Sequence, residues 1–307
     1  MGKIAFIYPG QGAQKVGMGK DFYENYESAK KIYEAANEAL DIKITDICFN
    51  ENELINQTEY TQPALVTTCL AITRVLIENG ITPDVTAGLS LGEYAAIATA
   101  GGMSEKDAIS TVYERGKYMA KAVPKGEGTM AAVFGMEALD ILEVISKVKD
   151  VTIANYNCKG QIVITGKTKG VREALEMLKE AGAKRCVELN VSGPFHSPFL
   201  VEAGERLRNV IGQVHLKQLN IPYVTNVTAN YVTDIKETCD LLVKQVSSPV
   251  KWYQSVEKMI ENGVYTFIEI GPNKTLAGFM KKINKDVSVY NVETVEDLGE
   301  ILCTIKK

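Results

Sequence analysis

Hydrophobic and polar positions along the chain alternate between short apolar runs and longer stretches with helical spacing. Lys3–Tyr8 (KIAFIY) is a continuous β-rich run closed by Pro9-Gly10, the pattern of a strand buried on both faces. Phe22, Tyr26, Ala29, Tyr33 and Ala36 then recur near one face of a predicted helix from Asp21, its candidate cap, to Leu40. Pro63 fits the first turn of a further helix and Gly80 its C-terminal stop. Val85–Ala87 is a short strand, followed by Gly88-Leu-Ser-Leu-Gly92 and an alanine-rich helix to Ala100. Ser104 with Asp107 resembles a capping box, opening a helix to about Ala122.

The stretch from about 129 to 191 has a rhythm of its own. Thr129–Phe134, Val151–Tyr156, Gln161–Thr165 and Lys184–Leu189 are strand-like, with helical spacing over Ala138–Val148 and Val171–Ala181. That order, β-α-β-β-α-β, is the ferredoxin-like pattern. Pro124-Lys-Gly-Glu-Gly and Ser192-Gly-Pro make hinges at its two ends. Beyond it the larger pattern resumes: helix Leu200–Val210, strand Tyr223–Asn226, helix Trp252–Glu261, strand Thr266–Glu269 and helix Lys274–Lys282. The predicted architecture is therefore an α/β-hydrolase-like domain with a parallel sheet core (1–125 and 197–307), interrupted by a small ferredoxin-like domain (126–196).

Composition removes several classes of function. With 34 Lys plus Arg against 38 Asp plus Glu in 307 residues, there is no basic bias of the kind nucleic-acid binders show. Hydrophobic residues at 46% and charged residues at 23% place the chain among globular proteins. The cysteines at 48, 69, 158, 186, 239 and 303 include no C-x-x-C pair, which speaks against a zinc ribbon or a dithiol redox site. No signal peptide, myristoylation motif or membrane span is read, since Phe6 stands where that motif needs Ser or Thr. Asn-x-Ser/Thr matches at Asn56, Asn190, Asn226 and Asn273 are taken as chance, and a reducing cytoplasm is expected.

The chemistry concentrates at Gly88-x-Ser90-x-Gly92. A serine on a sharp strand-to-helix turn presents its Oγ at the sheet edge, and the N–H that follows sits at a helix N-terminus where it can hold an oxyanion. A serine nucleophile needs a base, and the chain has only two histidines. His215 lies in a polar connection and is taken as solvated. His196, in Ser192-Gly-Pro-Phe-His-Ser-Pro, is the candidate base, since that loop could aim its ring into the cleft between the domains. No particular acid stands out as a third member. The Tyr8-Pro-Gly-Gln-Gly-Ala-Gln14 loop fails the dinucleotide fingerprint at Lys15 and the P-loop at Met18. It could instead offer a backbone N–H beside the nucleophile. Arg115 falls at the edge of the apolar stripe of its helix, and a cation there wants a carboxylate: an internal Asp or Glu, or a substrate.

Together these residues resemble the malonyl-CoA:acyl-carrier-protein transacylase family. Tyr8–Gln14, Gly88–Tyr94 (GLSLGEY), Gly193–Ser197 (GPFHS) and Glu269–Pro272 (EIGP) carry the likeness. Gln62-Pro-Ala, Arg115-Gly-Lys, Asn155–Asn157 with Gly160-Gln161, and Ser248–Trp252 extend it over nearly the whole chain. The resemblance implies Ser90 as the acylated nucleophile and His196 as base and acid. It implies a backbone carbonyl at Gln245 orienting that histidine, and the N–H groups of Gln11 and Leu91 as the oxyanion hole. Arg115 would bind the malonyl carboxylate, with Gln62, Asn157 and Gln161 as polar cleft residues. Phe195 would disfavour an α-methyl branch. The family's usual histidine before the serine is replaced by Leu89.

The implied reaction is ping-pong transfer from malonyl-CoA to the phosphopantetheine thiol of acyl-carrier protein for fatty-acid biosynthesis. No cofactor or metal is expected, nor a nucleic-acid or membrane partner, and a monomer is expected. Alternatives are a serine thioesterase or acyl hydrolase with the same Ser-His pair, or the acyltransferase of a polyketide synthase. Less favoured are a dinucleotide-dependent oxidoreductase and a non-catalytic carrier-binding module. Acyl-carrier proteins are generally acidic, so a local basic surface is expected; Lys117, Lys121, Lys125 and Lys159 lie near the proposed cleft in sequence, with a plain solvated face as the preferred reading.

Overall fold

In the computed structural model, which describes residues 2–305, the first apolar run lies inside a six-stranded sheet. The strands in chain order are β1 (Lys3–Tyr8), β2 (Val85–Gly88), β3 (Gly128–Phe134), β4 (Val151–Cys158) and β5 (Gln161–Lys167). They continue as β6 (Arg185–Glu188), β7 (Tyr223–Val224), β8 (Tyr231–Val232), β9 (Val264–Ile270) and β10 (Ser288–Val292). The helices are α1 (Lys20–Asn25), α2 (Glu27–Ala39), α3 (Ile44–Phe49), α4 (Thr58–Glu78), α5 (Gly92–Thr99), α6 (Glu105–Lys121) and α7 (Ala138–Ile145). After them come α8 (Thr168–Glu180), α9 (Val201–Ile211), α10 (Thr238–Ser247), α11 (Trp252–Glu261), α12 (Thr275–Ile283) and α13 (Val295–Ile305).

The larger sheet has the order β10-β9-β1-β2-β7-β8 and is parallel except for the β7–β8 pair. Alternation along β1 explains why both of its faces are apolar. Phe6 and Tyr8 enter a core with residues of α2, α4, α5, α6 and α9, while Ala5 and Ile7 enter a second core with Trp252, Val256, Met259, Leu276 and Met280. The smaller sheet, order β4-β5-β3-β6, is antiparallel and carries its own core under α7 and α8. This is the predicted fold class. The two sheets meet where β4 pairs with the segment after α10: Val250 N donates to the Ala154 carbonyl and Tyr156 N to the Val250 carbonyl.

Three local expectations change. The predicted helix over 21–40 is two helices, because Tyr26 takes an extended conformation between α1 and α2. Asp21 does not cap that first helix: its Oδ2 accepts from Val295 N at the start of α13. Helix α4 begins at Thr58, so Pro63 sits inside it, not in its first turn. The Ser104 cap forms as predicted, with Oγ accepting from Asp107 N.

Candidate active site

The turn between β2 and α5 is built by close backbone approach. A Cβ on Gly88 would lie 1.9 Å from the Gly92 carbonyl carbon, and one on Gly92 would lie 2.3 Å from the Tyr8 carbonyl oxygen. Only glycine fits at either position, so the strand can pass directly into the helix. Ser90 is left at φ 51°, in the left-handed region that a β-carbon disfavours. Such strain persists only where the surroundings hold it. Asn226, just past β7, supplies the hold: its Oδ1 accepts from Ser90 N (2.6 Å) and its Nδ2 donates to the Gly88 carbonyl (2.7 Å). Asn226→Ala should lose both bonds and cost about 2 kcal/mol of stability, checked by urea unfolding.

Ser90 Oγ lies 2.7 Å from His196 Nε2. His196 Nδ1 faces the carbonyl oxygens of Gln245 (2.9 Å) and Ser248 (3.2 Å). Carbonyls only accept, so Nδ1 carries the proton and Nε2 is left as the acceptor for the serine hydroxyl. Burial, and then the nearby Arg115 cation, lower the imidazole to about 4. The ring is therefore the free base at neutral pH. A proton NMR titration of the two histidines, with His196→Ala to assign the signal, should place it near that value.

Arg115 is 1% exposed on α6 and points into the same site. Its Nη1 donates to Gln62 Oε1 (2.9 Å), and its Nη2 to Ser90 Oγ (3.1 Å) and Gln245 Oε1 (3.0 Å). Its Nε has no partner among the described residues. Three hydrogen bonds out of five N–H donors leave two unspent beside a cavity of about 240 Å³. That cavity is lined by Gln11, Gln62, Ser90, Leu91, Arg115, Asn157, Phe195 and His196, with apolar walls from Met119, Met130, Val163 and Phe279. The Gln11 and Leu91 N–H groups make no hydrogen bond among the described residues, whereas Ser90 N is already spent on Asn226. Tyr8 and Gly88 are paired across β1 and β2, which brings the glycine-rich loop alongside the elbow.

Among the described residues, the family model for the acyl transferase domain matches residues 5–300. A malonyl CoA-acyl carrier protein transacylase of Bacillus subtilis is 46% identical over 304 residues, covering 96% of each chain. This chain belongs to the malonyl CoA-acyl carrier protein transacylase family. Two solved transacylase structures agree in shape. That from Clostridium perfringens superposes with a TM-score of 0.96 at 42% identity, over 99% of this chain and 97% of its own. A malonyl-transacylase in complex with the acyl-carrier protein of a type II polyketide synthase superposes at 0.95 with 34% identity, over 98% and 99%.

Most residues that the transacylase resemblance singled out converge on one cavity, but two stand apart from its lining. Gln245 lies behind it, presenting its carbonyl to His196 and its side chain to Arg115, Ser90 and Glu93. Gln161 is outside the lining: it opens β5 at the sheet's rim, where its Oε1 accepts from Lys282 Nζ. His215 is exposed. Leu89 lines the cavity and packs over Gly10, where an added Cβ would meet its Cδ2 at 2.7 Å. Two buried residues were not anticipated. Asn226 reads from sequence alone as a chance glycosylation match. Glu93 stands out in the sequence only as part of the Gly88–Tyr94 likeness, although a lone acid in an otherwise apolar helix is a visible signal.

Proposed function

We propose that the chain transfers a malonyl group from malonyl-CoA to the phosphopantetheine thiol of acyl-carrier protein by a ping-pong mechanism, in fatty-acid biosynthesis. The observation that carries this reading is the meeting of Ser90 Oγ with His196 Nε2 on one side and the buried Arg115 guanidinium on the other.

In the first half-reaction Ser90 Oγ attacks the thioester carbonyl while His196 Nε2 takes its proton. The N–H groups of Gln11 and Leu91 hold the oxyanion. The C–S bond breaks, His196 returns the proton to the CoA sulfur, and malonyl-Ser90 remains. In the second, the carrier thiol gives its proton to His196 and attacks the ester carbonyl. Ser90 then recovers the proton. The unspent donors of Arg115 bind the malonyl carboxylate, with Gln62 bracing the fork. That carboxylate also offsets the cation that depresses His196, so malonyl binding raises the basicity of the imidazole when it is needed. Phe195 and Asn157 line the same cavity, and on this reading the bulk of Phe195 disfavours an α-methyl branch.

The division into a catalytic unit (1–125 and 197–307) and an inserted unit (126–196) is supported by the two sheets sharing no strand. No described helix is long and apolar enough to cross a membrane. The reading places a cofactor-independent monomer in the cytoplasm. The decisive test is product partition with malonyl-CoA and pantetheinylated carrier: malonyl-carrier supports transfer, and free malonate as the main product would make the chain a hydrolase.

A further inference from the structure

Two charges at the base of the site lack direct opposite partners. Arg115 is a buried guanidinium whose three hydrogen bonds all go to uncharged groups. Glu93, on α5 three residues past Ser90, is a carboxylate with no solvent exposure. Its Oε2 accepts from Gln245 Nε2 (2.6 Å) and Asn226 N (3.2 Å), and its Oε1 has no partner among the described residues. An isolated buried charge of either sign is costly, and each would be expected to seek the other.

They are joined by one amide. Arg115 Nη2 donates to Gln245 Oε1, and Gln245 Nε2 donates to Glu93 Oε2. The Gln245 dipole thus points its oxygen at the cation and its NH₂ at the anion. Rotating that amide by half a turn would set NH₂ against the guanidinium and oxygen against the carboxylate. The same Nε2 also donates to the Ser90 carbonyl (2.9 Å), so the amide's orientation is coupled to the elbow.

We propose that Glu93 is the buried counter-ion of Arg115, relayed through the Gln245 side chain, and acts as a positioning residue that sets the preference for acyl groups bearing a carboxylate. The inference rests on the reading that Arg115 binds the malonyl carboxylate. With Glu93 ionised, the amide is locked and the unspent Arg115 donors stay aimed at the cavity. With Glu93 neutral, the charge on that acceptor is lost, and the amide is braced only by the Ser90 carbonyl and a weakened bond to Glu93, so its hold on the Arg115 fork loosens.

The relay should respond to pH. Burial pushes the Glu93 carboxyl up to about 7, against the opposing hydrogen bonds and the Arg115 charge. The other titratable groups around it do not change state near neutrality. Burial raises the phenols of Tyr94 on the same helix and Tyr223 on β7, Arg115 on α6 stays cationic, and His196 lies at about 4. A rise in pH through about 7 therefore ionises Glu93 and sets the relay, and a fall releases it.

The test is the rate of Ser90 acylation by malonyl-CoA and by acetyl-CoA across neutral pH, in the unmodified chain and in Glu93→Gln. The malonyl-to-acetyl ratio should drop about tenfold as pH falls through 7, the scale of one lost hydrogen bond to a charged group. Glu93→Gln should show the low ratio at every pH. A purely structural role would depress both rates together and leave the ratio flat, and that result overturns the inference. If Glu93→Gln does not fold, the unmodified chain's ratio profile decides alone. Acylation with a flat ratio would remove the relay and leave the transferase reading standing, whereas no acylation by either ester would remove both.

Discussion

Ser90→Ala and His196→Ala are each expected to lower malonyl transfer by about 10⁶-fold, and the double variant should be no worse than either single one. The two groups act as one unit. Without Ser90 there is no atom to carry the acyl group. Without His196 the hydroxyl keeps its proton, because the other polar neighbour of Ser90 Oγ, Arg115 Nη2, is itself a donor. What survives in each variant is the oxyanion hole and the cavity, which is why the losses do not add. Steady-state transfer rates for the three variants check this, and additive losses would show that serine and histidine act independently.

Arg115→Ala should reduce kcat/KM for malonyl-CoA by roughly 10²- to 10³-fold, the cost of leaving a charged partner unpaired in a dry site. Acetyl-CoA lacks the carboxylate, so its loss should be less than about tenfold, reflecting only the missing hydrogen bond to Ser90. The variant should therefore lose its malonyl preference. Arg115→Lys should recover only part of it. Lysine keeps a charge but cannot fork between the substrate, Gln62 and Gln245. Equal losses for the two esters would mean that the guanidinium serves the elbow and not the substrate.

Much of this site is legible before any fold is known, and the parts that are not share a physical reason. Ser90, His196 and Arg115 are visible because the roles proposed for them belong to their side chains: a serine between strand and helix, one of two histidines, a cation at the edge of an apolar stripe. The β-α-β-β-α-β rhythm of the insert is visible because each of its elements has a clear period. Gln245 is different. Its backbone carbonyl faces His196, and any residue has one, so the residue's own chemistry does not mark it; the family resemblance named it, and the path of α10 brings it there. That ten-residue helix, β10 and α13 are absent from the predicted elements, because short apolar stretches do not declare their partners. Asn226 and Glu93 act on the backbone and on charges brought from distant segments, which local spacing does not encode. The helix over 21–40 reads as unbroken because its stripe continues through Tyr26, which packs while its backbone is extended.

The central claim is a malonyl group carried on Ser90 and passed to a carrier thiol. Intact-protein mass spectrometry after brief incubation with malonyl-CoA tests it most directly, beside Ser90→Ala. The account predicts a gain of one malonyl group in the unmodified chain and none in the variant. On adding pantetheinylated carrier protein, that mass should leave the enzyme and appear on the carrier. Steady release of CoA with no adduct, or an adduct that persists in Ser90→Ala, would contradict it.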